Sequence, residues 1–310
     1  MKHPFPILLF GLLLLVPLFG EVFYTRLFSR IMIHAIFAIS LDLMLGYGGM
    51  VSFGHAAFFG AGAYTVGILS LHGVSSALIV WPAAVGVAAL LALPIGALSL
   101  RTSGAYFIMI TLAFAQIVYY FAFGLESCGG SDGMRLATRN TVGGWAGLAG
   151  HTVYYHVVWG CLLAVFLGCR RLVGSRFGFV IGGIRQNEAR MGSLGYAPFG
   201  YKLTCFVIAA SIAGLAGALI ANEALYVSPS FLHWTQSGHV LVMVILGGMG
   251  TLLGPILGAM ALLLTEEGLS AFTEHWMIVL GPSLIIVVLY ARRGLISLLP
   301  GRREARADAS

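Results

Sequence analysis

One short stretch of the chain matches the pattern of a catalytic serine. The sequence Gly129-Gly-Ser131-Asp-Gly133 fits G-x-S-x-G, in which hydrolases expose a nucleophilic serine on a sharp turn between a strand and a helix. Here the motif follows an apolar run and lies in a loop that also contains Asp132 and Arg135. We therefore expect an ordinary turn, and an intramembrane hydrolase that uses Ser131 is the less favoured hypothesis.

Three polar side chains lie in or beside apolar runs, where they would be suited to bind a polar solute. They are Asp42, His55 and Gln116. Polar and ionisable groups are costly in lipid, so those that occur there often line a transport path. For His55 a second interpretation stays open, namely a structural hydrogen bond to a neighbouring backbone carbonyl.

Two glycine-rich interruptions predict unwound backbone within apolar segments. Leu45–His55 contains Gly48-Gly49-Met50, and Leu246–Pro255 contains Gly247-Gly248-Met249. Broken helices at matching positions of two halves are typical of transport pathways, although chance similarity in a chain with 42 glycines is the alternative. The residues predicted to line a translocation path are Asp42, Gly46, Gly48, Gly49, Ser52, His55, Gln116, Gly247, Gly248 and Gly250.

The composition is that of a membrane protein. Hydrophobic residues make up 59% of the 310 residues and charged residues 9%, whereas soluble domains contain about 25% charged residues. A net charge of +6 would also suit acidic lipid or nucleic acid, but the basic residues lie where membrane orientation requires them, so no nucleic acid is expected. The four cysteines show no CxxC pairing, and they predict neither a metal site nor a disulfide framework.

A basic segment, Arg170–Lys202, separates two apolar halves. It contains six of the 17 Lys and Arg residues and a single acid, Glu188. Because Lys and Arg resist translocation, the segment should lie on the cytoplasmic side. Apolar residues recur in it at helical spacing, at Val180, Ile181, Ile184, Met191 and Leu194. They predict a short amphipathic helix, ended by Gly192 or Gly195, that lies on the membrane surface or docks in a partner's groove.

Apolar runs, each needing roughly 20 residues to cross a bilayer, define the predicted spans. These lie at 4–20, 31–47, 51–71, 78–98, 105–125, 153–169, 203–222, 239–265 and 276–290. Pro255 interrupts the run at 239–265, and two short helices or a re-entrant pair there would leave both termini cytoplasmic. We predict an all-α polytopic membrane protein with about ten transmembrane or half-membrane helices.

The spacing of three glycines predicts a helix-packing surface, and the composition along the chain predicts its division into parts. Gly250, Gly254 and Gly258 recur every four residues, which predicts a smooth stripe for close packing against another helix or another subunit. Residues 1–30 are expected to form a retained first span and an external turn, residues 31–300 the main domain, and residues 301–310 a charged, disordered tail.

Several motifs, in order along residues 31–296, resemble those of one transporter family. They are Leu43–Tyr64, Leu100–Phe107 with Thr111–Gln116, Gly129–Gly133, Tyr226–Pro229 and Leu246–Pro255. Together they resemble the inner-membrane permease subunits of bacterial branched-chain amino acid ABC importers, LivM type. The chain has no Walker-type phosphate loop, since its only lysines are Lys2 and Lys202, so any energy from ATP must come through another polypeptide.

The resemblance also implies the location, the partner subunits and the cargo of this protein. It implies a multi-pass subunit of the bacterial inner membrane that pairs with a second homologous permease, two cytoplasmic ATPases carrying ATP and Mg, and a periplasmic amino-acid-binding protein. It implies cargo such as leucine, isoleucine or valine, although Asp42, where asparagine is more usual, leaves other amino acids, amides or urea open. The implied ATPase-coupling residues are Arg185, Glu188, Ala189, Arg190, Gly192 and Gly195. A secondary transporter that works alone on an ion gradient is the alternative.

The predicted orientation is tested by cysteine labelling. With the four natural cysteines replaced by serine, Ser193→Cys should react with a membrane-impermeant maleimide only from the cytoplasm, because it lies in the basic segment. Ser230→Cys should react only from outside, and the reverse pattern of labelling in whole cells and inverted vesicles would overturn the topology.

Overall fold

The chain is built almost entirely of α-helices. A computed structural model describes residues 5–19, 21–125, 129–141, 150–271, 281 and 294–298. In these residues the helices are α1 (Phe5–Leu15), α2 (Val22–Asp42), α3 (His55–Leu71), α4 (Ala77–Ser99), α5 (Ala105–Phe123), α6 (His151–Val173), α7 (Arg176–Gln186), α8 (Glu188–Ser193), α9 (Pro198–Ala224), α10 (Trp234–Gly247) and α11 (Gly254–Ser270). The predicted span at 276–290 and the charged tail lie outside the described residues.

Short elements connect and extend these helices. Strands β1 (Met134–Arg135) and β2 (Tyr226–Val227) form a two-stranded antiparallel sheet. A π-helical turn at Leu43–Tyr47 continues α2. Turns of 3₁₀ helix occur at Val16–Phe19, Gly130–Asp132, Pro229–Leu232 and Leu295–Leu298.

Several helices suit a bilayer. Within the described residues, the five that are long and apolar enough to cross a membrane are Val22–Tyr47, Ala77–Ser99, Ala105–Phe123, His151–Val173 and Pro198–Ala224. Large apolar side chains face outward on two of them, with Leu90 74% exposed and Tyr106 73% exposed. These surfaces suit lipid or another subunit, and the prediction of a helical, multi-pass membrane protein is confirmed.

Two predicted boundaries were wrong. Residues 22–30, expected to belong to an external turn, are the first turns of α2. The hydropathy of the stretch is interrupted by Arg26 and Arg30, but the helix continues through them because both lie at its exposed end. The third span begins at His55 rather than at Val51, because the glycine break occupies the residues between.

Helix α2 forms the centre of the bundle. Every residue from Ile31 to Asp42 is buried, and a helix that is apolar on all sides must be covered on all sides. The covering helices are α6, α9, α10 and α11. The end of α2 therefore lies in the interior, where it can hold a functional polar group.

Small residues bring α3 and α9 into backbone contact. A Cβ atom added at Gly62 would lie 2.1 Å from the carbonyl oxygen of Gly214, and one added at Gly217 would lie 1.8 Å from that of Phe59. Helices approach this closely in membranes where both surfaces lack side chains. The close approach of α3 and α9 therefore depends on glycine at Gly62 and Gly217.

The helix ends define two faces of the molecule. The basic face groups residues 48–51, 100–104 and 184–202, and a common cavity is lined by residues from each of these three stretches. The loop face groups residues 75–77, 129–141 and 222–228, which are joined by backbone hydrogen bonds. Helices α10 and α11 form an antiparallel pair. His239 Nε2 in the first half of α10 lies 3.7 Å from Glu266 Oε2 in the last part of α11, so the start of α10 is close to the end of α11.

Replacing Gly217 by alanine tests the glycine-fixed crossing. Gly217→Ala should lower the melting temperature of the detergent-purified protein, because overpacking a tight contact costs typically about 1–3 kcal/mol. The matched control is Gly168→Ala on α6, where an added Cβ would meet nothing within 4 Å. The control should melt with the wild type or above it, and equal melting of both variants would contradict the packing.

Candidate functional site

The site lies where the two glycine breaks meet. The backbone N–H of Gly250 donates to Asp42 Oδ1 at 2.8 Å, joining residues 208 positions apart in the chain. The Asp42 side chain has no solvent exposure. A buried carboxylate needs donors and a buried amide needs an acceptor. This bond satisfies the Gly250 amide and one of the two Asp42 oxygens.

Glycine is required at these positions for two physical reasons. Gly49, Gly248 and Gly250 have φ values of +72°, +115° and +72°, in the left-handed region that other residues avoid. Gly46 is needed for space, since an added Cβ would lie 2.1 Å from Asp42 Oδ1 and 2.4 Å from the Gly250 nitrogen. A side chain at 46 would therefore separate the carboxylate from the second break.

Arg185 of α7 reaches the same point from the basic face. Its guanidinium donates to the carbonyl oxygen of Gly46, and its Cγ would lie 2.9 Å from a Cβ added at Gly49. Ile181 and Ile184 are buried beneath it at 1% and 2% exposure, which anchors α7 to the bundle. The basic segment thus touches the first break directly, a contact that the sequence did not predict.

The second break is a turn between two packed helices. A Cβ added at Gly258 would lie 1.9 Å from the carbonyl oxygen of Met243, and one at Gly247 would lie 1.8 Å from that of Gly254. Gly254 and Gly258 therefore lie where α11 meets α10. Gly250 lies in the turn, outside both helices, so the expected three-residue stripe is shortened to two because the helix begins only at Gly254.

The other polar residues predicted for the path lie apart from this junction. His55 is fully buried, shares a 2.8 Å hydrogen bond with the Ser40 hydroxyl, and stacks on Phe37 with ring centroids 5.5 Å apart. Its partner is thus a hydroxyl rather than a backbone carbonyl. Ser52 accepts from the Gly54 amide at 3.0 Å, which shapes the break, and Gln116 is half-buried on α5.

A cavity of about 290 Å³ opens beside the junction on the basic face. It lies between the first glycine break, residues 100–108 at the α4–α5 connection, and residues 184–202. Gly48 and Gly49 line it, and so do Arg185, Glu188 and Lys202. Two of the predicted path residues, Gly48 and Gly49, therefore share a cavity with two of the predicted coupling residues, Arg185 and Glu188.

The basic segment forms two helices rather than the single helix predicted. Asn187 separates α7 from α8, with an extended backbone at φ −157° and ψ 98°, and its side chain accepts from the Arg190 amide at 2.9 Å. Leu194, expected on the buried face, is 66% exposed because the second helix turns away. Five of the residues implied in coupling form an exposed surface, at Glu188, Ala189, Arg190, Gly192 and Gly195.

The loop face carries a buried polar cluster that the sequence did not reveal. The Arg139 guanidinium donates to the Asn222 carbonyl at 3.1 Å and to Glu223 Oε2 at 3.2 Å, and it lies 4.6 Å from the Tyr154 ring centroid. The Asn222-Glu223 pair at the end of an apolar run was the available signal. The cluster fastens the loop to the ends of α6 and α9.

Ser131 lies in the same loop, in a 3₁₀ turn. Its hydroxyl donates to Asp132 Oδ1 at 3.1 Å, and strand β1 follows the motif instead of preceding it. This is not the strand–turn–helix that a nucleophilic serine requires. In the part of the chain that the structure describes, no group of three His, Cys, Asp or Glu residues is placed to hold a metal ion.

Comparison with known proteins identifies the class. Residues 23–288 match the family of the permease component of branched-chain amino acid transport systems. Because this match covers most of the chain, the chain belongs to that family. The resemblance drawn from the ordered motifs is thereby confirmed, and neither the hydrolase nor the lone secondary transporter is favoured.

Two relatives make the likeness more specific. The chain is 29% identical over 292 residues to the high-affinity branched-chain amino acid transport system permease protein LivM of Escherichia coli, and equally to that of Salmonella typhimurium. Each alignment covers 86% of this chain and 68% of the relative. No solved structure matches the chain significantly.

Substitution of Asp42 tests the junction. Asp42→Asn keeps an oxygen acceptor for the Gly250 amide, so the purified protein should melt within about a degree or two of the wild type. Asp42→Leu leaves that amide unpaired, at a cost of about 1–3 kcal/mol, and should melt distinctly lower. Equal melting of the two variants, measured by size-exclusion thermal challenge, would show that the bond does not stabilise the fold.

Proposed function

We propose that this chain is the permease subunit of an ATP-driven ABC importer that carries branched-chain amino acids, or a related small amino acid or amide, across the bacterial inner membrane. The observation that carries the proposal, beside family membership, is the contact of Arg185 with Gly46. It joins the basic segment to the buried junction of the two breaks.

The proposed topology has about ten membrane segments and cytoplasmic termini. In the described residues, the basic face and the α6–α7 connection carry Arg101, Arg170, Arg171, Arg176, Arg185, Arg190 and Lys202. The loop face and the first turns of α2 carry Arg26, Arg30, Arg135 and Arg139. This excess supports a cytoplasmic basic face, because Lys and Arg are retained on that side.

The proposed assembly contains a second homologous permease, two cytoplasmic ATPases that bind ATP and Mg, and a periplasmic amino-acid-binding protein. The exposed surface from Glu188 to Gly195 supports docking of an ATPase on α8. Movement of α7–α8 on ATP binding would move Arg185 and, through it, Gly46 and the Asp42 junction. ATP can shift the balance between outward and inward access only if the two states differ in such contacts.

Charge reversals in the basic segment test this coupling. Arg185→Glu and Glu188→Lys should abolish ATP-driven uptake, since the first removes the contact with Gly46 and the second reverses the charge on the docking surface. Glu188→Lys should also abolish co-purification of the ATPase. Both proteins should still insert into the membrane, as measured by their yield after detergent extraction.

Two control variants make the result specific. Arg176→Glu reverses a charge at the exposed start of α7, and Glu267→Lys reverses one on α11. Both should leave uptake and ATPase co-purification within about twofold of the wild type, because neither residue belongs to the junction or the docking surface and neither forms an ion pair among the described residues. Wild-type uptake in Arg185→Glu and Glu188→Lys would refute the proposal.

A further inference from the structure

The cavity on the basic face has the chemical make-up of a small binding site. Its volume of about 290 Å³ is just below the range for ligand pockets, roughly 300–1,000 Å³, so it suits only a small ligand. Both charge signs line it, together with apolar side chains. Such a lining suits a small molecule that is itself charged at one end and apolar at the other.

The charges in the cavity are unequal. Arg185 and Lys202 contribute two positive charges and Glu188 one negative charge. Lys202 is paired with Glu188, whereas Arg185 donates to a neutral carbonyl. Among the described residues, no carboxylate forms an ion pair with Arg185, and Asp42 interacts with it only at longer range. The guanidinium can therefore still bind a ligand carboxylate, which it does in a two-pronged geometry.

The acceptor for a ligand ammonium is Glu188, three residues after Arg185 and on the other side of the break at Asn187. Glu188 begins α8 directly after the Asn187 break, and its side chain is 52% exposed. Lys202 donates to one carboxylate oxygen, Oε2, and the second oxygen provides a further acceptor. Arg185 and Glu188 thus present the two opposite charges that an α-amino acid carries at neutral pH.

Most of the other side chains in the wall are apolar, with Thr102 and Ser103 as the uncharged polar ones. Met50, Leu100, Phe107, Ile108 and Ile184 line the cavity, and Phe107 and Ile184 belong to the buried core. An apolar side chain of a ligand would remove water from this wall, which is favourable at about 25 cal/mol per Å² buried. A charged side chain would lose its hydration there without a partner.

We propose that this cavity binds a zwitterionic α-amino acid with an apolar side chain, with Arg185 holding the carboxylate and Glu188 the ammonium. The inference rests on the proposed function for its orientation, which places the site on the cytoplasmic side. A ligand there contacts both the first glycine break and α7–α8, so it holds them together. Accumulated product in the cytoplasm would thereby inhibit its own import.

The test uses proteoliposomes containing the permease with its partner subunits, ATP inside, and the loaded binding protein outside. Luminal L-leucine at millimolar concentration should lower the initial uptake rate at least fivefold. Luminal L-aspartate, the control zwitterion with a charged side chain, should leave it unchanged. Ser103→Trp, at the exposed rim of the cavity, should fill the site and keep the rate constant with luminal L-leucine.

The outcomes distinguish a failure of the proposed binding site from a failure of the proposed importer function. Inhibition that persists in Ser103→Trp, or no inhibition of the wild type, overturns the site while leaving the importer intact. If Ser103→Trp is inactive, Ile108→Trp takes its place. If the wild type imports nothing even with an empty lumen, the proposed function fails. Saturation-transfer NMR of L-leucine with the purified complex then decides the site alone, and loss of the signal in the filled variant supports it.

Discussion

The structure depends on one hydrogen bond, from the Gly250 amide to the buried Asp42 carboxylate. Unwound backbone within a membrane protein exposes polar groups that lipid cannot satisfy. Each break is tolerated because it lies against the other inside the bundle. The all-round burial of α2 brings the carboxylate there, and the missing side chain of Gly46 lets it reach its partner.

The same junction connects regions that are far apart in the chain. Asp42 and Gly46 come from the end of α2, Gly250 from the α10–α11 turn, and Arg185 from the basic segment. A displacement of α7 would therefore reach the first break through the Arg185 guanidinium and the second through the Asp42 carboxylate, each of which bonds to a backbone group. Cores and junctions packed in this way switch between discrete arrangements instead of deforming gradually.

Local sequence patterns predicted the breaks but not their contacts. The Gly-Gly-Met repeats and Pro255 marked where helices stop, and the break of the 239–265 run into two helices followed from them. Spacing carries no information about a bond between residues 208 apart. The separation of α7 from α8 was missed because apolar periodicity continues through Asn187, whose side chain caps the second helix instead. The extension of α2 over residues 22–30 was missed because Arg26 and Arg30 interrupt the apolar run there.

The buried pair of Arg139 and Glu223 limits how two of the helices can move. Both side chains are less than a tenth exposed, at 4% and 9%, and removing one partner of such a buried pair typically costs about 3–5 kcal/mol. The loop 129–141 thus ties the ends of α6 and α9 together on the loop face. A rearrangement that parted these two helix ends would have to carry both charged groups with it or bring them into water.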